Sequence, residues 1–131
     1  MEDDKDIEET ITEVLMELKL KPDISGFDYL REAIKLCLKD RGLQCEITTK
    51  LYPLMAKKFN VNVKMIERNI RFAIEYAFGN KGLLGVNQIY GALIYTNDYR
   101  FSNSELIAIL TEKIRIDLKV KSKLKNKAQN C

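Results

Sequence analysis

Lys64, Arg68, Arg71 and Glu75 recur at i, i+4, i+7 and i+11 in the stretch VKMIERNIRFAIEYAF. On a helix advancing about 100° per residue, this spacing lines the four along one side, with Glu67 between that side and the apolar one. Such a line of charges can do recognition chemistry. Arginine donates in bidentate fashion to guanine O6 and N7, and glutamate accepts from cytosine N4. Lys50, Lys57 and Lys58 lie just upstream, where lysines would grip phosphates and fix orientation without reading sequence. The same pattern has a plainer reading. Any amphipathic helix on a soluble bundle carries charge outside, and Lys64–Arg68 or Arg71–Glu75 would then be ordinary surface neighbours.

Charge alone favours the plainer reading, and the elements around this stretch bring the two level. Opposite the charges, Ile66, Ile70, Ala73 and Ala77 form a narrow apolar stripe with Val63 and Ile74 at its edge. Asn62 is a candidate N-cap for the helix. Before it runs LYPLMAKKFN, read as another helix, with Thr48 or Thr49 as its cap and Pro53 early enough to be tolerated. Two helices with so brief a joint, the second exposing arginines, satisfy the geometry of a helix-turn-helix DNA reader.

Further out, the pattern is helical throughout. A first helix is expected over about Ile7–Leu18, broken at Pro22 and Gly26. A second follows over about Phe27–Asp40, with Gly42 as its C-terminal cap. Residues 79–103 are the least regular and glycine-rich, with room for a short helix near Val86–Leu93. Ser102 and Glu105 in SNSE make a capping box, opening a helix that runs to roughly Leu118. Alternating strand patterns are absent apart from short runs such as Leu93–Tyr95. The expected class is all-α, a compact bundle of about six helices containing a helix-turn-helix.

Bulk properties narrow the function. At 131 residues, 46% hydrophobic and 31% charged, the chain suits one globular domain. We divide it into an acidic extension (1–10), a helix-turn-helix domain (11–118) and a basic tail (119–131). It has no histidine, and its three cysteines (Cys37, Cys45 and Cys131) lack CxxC spacing. Histidine-assisted nucleophilic catalysis and a cysteine zinc knuckle are therefore not encoded, and Cys37 falls on an apolar helix face. The composition points away from an enzyme, with no cofactor and no metal. No apolar run approaches the roughly 20 residues of a membrane span, and the acidic start is no signal peptide, so the expected location is cytoplasmic. The glycines of GNKGLLG match no P-loop, and the GxxG of GNKG lacks the sheet of an RNA-binding KH domain.

The runs ITEVL (11–15), GFDYLREAI (26–34), LYPLMAKKFN (51–60), IERNIRFAIEYAF (66–78) and NSELIAILTEKIR (103–115) resemble the C-terminal effector domain of stage 0 sporulation protein A. The resemblance runs from about Ile11 to Lys121. It implies a six-helix domain that binds short operator boxes on double-stranded DNA, often as tandem copies, and regulates transcription of sporulation genes. By position, Glu67 and Arg68 correspond to residues facing base edges, and Arg71 to a DNA-contacting arginine. The region 81–94, with Gly85, Tyr90 and Ile94, corresponds to a surface touching the sigma subunit of RNA polymerase.

Two positions depart from the family pattern. Met65 stands where the family has a base-reading arginine, and Phe72 where it has histidine. Losing a bidentate arginine forfeits about 1–3 kcal/mol of discrimination at one base pair. Met65 and Phe72 would either meet thymine methyl groups or pack against a neighbouring helix or partner. A receiver domain, which family regulators carry ahead of the effector, has no counterpart in the ten or so residues before the first helix. The chain is either a fragment or a receiver-less relative; for the latter, the expected control is by abundance or by a partner. The alternative function is a protein-interaction module that modulates a full-length regulator or the polymerase without productive DNA reading.

Overall fold

The computed structural model describes residues 4–79 and 101–129. Among these, six α-helices and one π-helical turn follow in order: α1 (Asp4–Glu17), α2 (Ser25–Lys39), α3 (Arg41–Cys45), the turn Ile47–Leu51, α4 (Tyr52–Phe59), α5 (Val63–Gly79) and α6 (Asn103–Gln129). The described residues form no strand, and the all-α expectation holds. The helix expected near Val86–Leu93 lies outside the described residues.

α2 is the central element. It packs against α1, α5 and α6 and buries Phe27, Leu30, Ala33, Ile34 and Cys37. The apolar stripe expected on α5 is buried at Ile66, Ile70, Ala73 and Ala77, and helical spacing likewise buries Ile11, Val14, Leu15 and Leu18 at the α1 end, with Ile7 half-buried, and Leu106, Ile107, Leu110, Ile114 and Leu118 on α6. Burial of these stripes, rather than helix propensity alone, is what holds helices of this length.

Gly26 is not a breaker. It lies in the first turn of α2, where a Cβ would stand 2.1 Å from the Asn69 carbonyl oxygen and 2.8 Å from the Ala73 Cβ. Its missing side chain lets the backbones of α2 and α5 nearly touch. Gly42 is not a C-terminal cap either. α2 ends at Asp40, whose Oδ1 accepts from the Gly42 amide at 3.0 Å and so opens the short α3.

Thr48 and Thr49 do not cap a helix. Both sit in the π-helical turn, where the Lys50 and Leu51 amides share the Glu46 carbonyl at 2.9 and 3.2 Å. The turn feeds directly into α4, with Pro53 in its first turn.

Two helices end on a left-handed residue other than glycine. Lys19 (φ 66°) and Asn60 (φ 54°) take left-handed conformations at the ends of α1 and α4. In each case two amides fold back on the last turn: Leu20 to Leu15 and Lys19 to Met16, then Val61 to Ala56 and Asn60 to Lys57. This is the Schellman arrangement, and it satisfies carbonyls that the helix end would orphan.

α6 begins where the capping box placed it, with Ser102 Oγ accepting from the Glu105 amide at 3.0 Å. It then runs well past Leu118, to Gln129. Lys121 Nζ donates to Thr10 Oγ1 at 2.8 Å and Lys125 Nζ to Asp6 Oδ2 at 2.7 Å, fastening the basic end of α6 to the acidic start of α1. Both charged termini are thus parts of helices that meet.

Two outcomes follow from this packing. Gly26→Ala removes a helix-weakening glycine yet should lower stability by about 1–3 kcal/mol, because the new methyl collides with backbone; urea unfolding at unchanged slope checks this, and an unchanged or raised midpoint would refute the close crossing. Burial pushes the Cys37 thiol up to about 11, whereas Cys45 is exposed. Alkylation of the native protein near pH 8, read by peptide mapping, should label Cys45 and leave Cys37 intact.

Candidate nucleic-acid interface

The joint between α4 and α5 is three residues long. Asn60 turns the chain in its left-handed conformation, Val61 closes the preceding helix, and Asn62 opens the next. The Asn62 Oδ1 accepts from the Met65 amide at 2.8 Å, which is the N-cap that its position suggested. Tyr29 meets Phe59 edge-on, with ring centroids 5.0 Å apart, and so braces the end of α4 against α2. The helix-turn-helix is therefore held at its corner as well as along its buried stripe.

On the outer side of α5, Lys64, Glu67, Arg68 and Arg71 line an open cleft of about 520 Å³, closed on its far side by Ser102 and Asn103 at the start of α6. Lys64 and Arg68 are exposed, and Glu67 and Arg71 are half-buried. Among the described residues, three cations against one carboxylate leave the cleft positive, the sign that a phosphate backbone requires. Glu75 is also exposed, further along the helix, and is not among the cleft residues.

The two arginines do different things. No hydrogen bond or ion pair ties Arg68 to any described residue. Arg71 is tied down: its Nη2 donates to the Phe101 carbonyl at 2.6 Å and its Nε to Asn103 Oδ1 at 3.1 Å. Asn103 in turn donates from Nδ2 to the Glu67 carbonyl at 3.0 Å. Beneath this knot lies the buried Tyr52 ring; burial pushes its phenol above the ordinary range, and Asn103 beside the hydroxyl pulls it partly back. Neighbouring backbone thus holds Arg71, while Arg68 reaches solvent.

The upstream lysines also divide. Lys50 is paired with Glu46 at 2.8 Å and Lys58 with Glu32, whereas Lys57 is exposed without such a partner. None of the three lines the cleft. Met65 (42%) and Phe72 (55%) are exposed, and among the described residues no helix covers them. They remain as apolar groups on the flank of the charged side. The positions expected to meet polymerase, Gly85, Tyr90 and Ile94, lie outside the described residues.

Sequence reasoning missed Asn103, Ser102 and the Phe101 carbonyl as parts of this site. The capping box marked Ser102 as a helix start, but nothing in the pattern says that this start abuts α5. That adjacency arises only when α5 and α6 both pack against α2.

The family model described as Sporulation initiation factor Spo0A C terminal matches residues 11–114. The match spans all of α2 to α5, the joint between α4 and α5, and the first half of α6.

The unequal anchoring of the two arginines has a measurable consequence. Arg71→Ala should cost about 1–3 kcal/mol of stability, because it leaves the Phe101 carbonyl and Asn103 without their donor. Arg68→Ala should stay within about 0.5 kcal/mol of the parent, as an exposed side chain with no partner. Thermal melts of the two variants side by side check this; equal melting temperatures would refute the brace.

Proposed function

The chain belongs to the C-terminal domain family of the sporulation initiation factor Spo0A, a family of helical DNA-binding domains in transcription regulation, and on that premise we propose that it is a sequence-specific regulator that reads a short operator box with α5. The observation that carries this reading is the positive cleft, with Lys64 and Arg68 exposed on the outer side of the second helix of a helix-turn-helix. In this reading Arg68 and Glu67 face base edges. Arg71 is a positioning contact, held at a fixed place for a phosphate. Lys64 and Lys57 supply further phosphate contacts, with Lys50 and Lys58 exchanging their carboxylate partners for phosphate on binding.

Met65 and Phe72 give this member its own preference. Standing exposed beside the base readers, they suit apolar contact with thymine methyl groups in place of the polar reading that arginine and histidine would supply. The resemblance extends the proposal to tandem occupancy of adjacent boxes and to contact between the region 81–94 and the polymerase sigma subunit. The setting is the cytoplasm, where the chromosome is; among the described residues no helix is long and apolar enough to cross a membrane.

The same exposed Met65 and Phe72 favour a second reading: an interaction module whose apolar flank meets a regulator or the polymerase while DNA reading is lost. Selection of duplexes from a randomised pool separates the two. The first reading expects an enriched box whose affinity falls steeply as salt rises, through counterion release. It also expects Arg68→Glu to abolish the preference while the melting temperature stays put. Absence of any enriched sequence, or equal operator affinity for Arg68→Glu and parent, would remove the DNA-reading proposal.

A further inference from the structure

The family match covers residues 11–114, and the segments on either side of it come together to build a cavity. Asp4 and Ile7 from the start of α1 meet Arg115, Leu118, Lys119 and Ser122 from the far half of α6, with Leu38 and Lys39 of α2 between them, around about 650 Å³. Six of its eight described lining residues therefore lie outside the stretch that the family model matches. The volume falls within the roughly 300–1,000 Å³ of small-molecule sites.

Its chemistry is two-sided. Ile7, Leu38 and Leu118 are buried or half-buried and give an apolar floor. Among the described residues, the charged groups around it are three cations (Lys39, Arg115 and Lys119) and one carboxylate (Asp4). Arg115 is spoken for: it donates to the Cys37 carbonyl at 3.2 Å and to Gln44 at 3.3 Å, and it pairs with Glu112. Lys39 holds Asp4 at 3.3 Å in a pair exposed on both sides, which water screens and an incoming anion can displace at little cost. Lys119 is exposed and has no hydrogen-bond or ion-pair partner among the described residues. A ligand that satisfies this wall needs an anionic head and an apolar body.

We propose that the cavity binds a single-chain anionic amphiphile of the fatty-acid class. Lys119 and Lys39 hold its carboxylate, and its chain lies over Ile7, Leu38 and Leu118. A nucleic-acid backbone does not fit this place: the apolar floor offers nothing to a polyanion. The cavity is also remote from the cleft, since Lys119 lies about 24 Å along α6 from the end that abuts α5. The volume suits one chain rather than the two of a membrane phospholipid.

Calorimetric titration of the full chain with dodecanoate, below the concentration at which it self-associates, tests the proposal. One molecule should bind per chain. Dodecyltrimethylammonium, with the same tail and opposite charge, should bind at least about tenfold more weakly, and acetate should not compete. Lys119→Glu should lower dodecanoate affinity about tenfold, and Ser122→Trp, which fills the cavity, should remove binding; Lys119 is exposed and Ser122 half-buried beside the cavity, and the helical melt of each variant should match the parent. Equal affinity for the two head groups, uptake without saturation, or parent-like binding by either variant would overturn it.

Discussion

The near-contact of α2 and α5 at Gly26 is the constraint on which the rest of the molecule turns. With 2.1 Å between a would-be Cβ and the Asn69 carbonyl, no side chain fits between the two backbones. The approach lets Ile66, Ile70 and Ala73 sink fully into the core, and it fixes the rotation of α5 about its own axis. That rotation decides which residues face out. A helix rolled by one residue, about 100°, would carry Arg68 toward the protein body and an apolar side chain toward solvent. The charged outer face is thus a consequence of how tightly the inner face is seated.

A second constraint acts at the other edge of α5. The Arg71–Asn103–Glu67 knot ties the helix to the start of α6 through the Phe101 carbonyl and two side chains. Arginine suits this place better than lysine, since its planar fork can address a carbonyl and an amide oxygen together. Seated against α2 on one side and tied to α6 on the other, α5 is positioned by the fold itself. For a reading helix this matters energetically, because a helix that must be ordered on binding gives up affinity to the ordering.

Much of this was legible in the sequence, and what was not has physical causes. The buried stripes of α1, α2, α5 and α6 follow helical periodicity, and the caps at Asn62 and Ser102 follow local hydrogen-bonding chemistry, so both could be read from nearby residues alone. Gly26 and Gly42 were misassigned because glycine near a proline or a helix end ordinarily means a break. Here one serves a tertiary approach, and the other merely supplies an amide to Asp40. The left-handed Lys19 left no sign, since lysine rarely takes that conformation. The far half of α6 was missed because its apolar period gives way to lysines beyond Leu118. What holds it is pairing with Thr10 and Asp6, more than a hundred positions away in the chain and invisible to any local window. Asn103 escaped for the same reason.

The placement of charge separates two ends of one long helix. The 27 residues of α6 span about 40 Å. At its start, Ser102 and Asn103 close the positive cleft against α5. At its far end, Lys121 and Lys125 are neutralised by α1, so the lysine-rich segment is less of a free polyanion-binding arm than its composition suggests. Its distance removes it further, since at physiological salt a charge tens of ångströms away lies several screening lengths from the cleft. Among the described residues, the positive charge of the cleft comes from Lys64, Arg68 and Arg71 of α5, and the net charge of +3 for the whole chain describes the molecule without describing that surface.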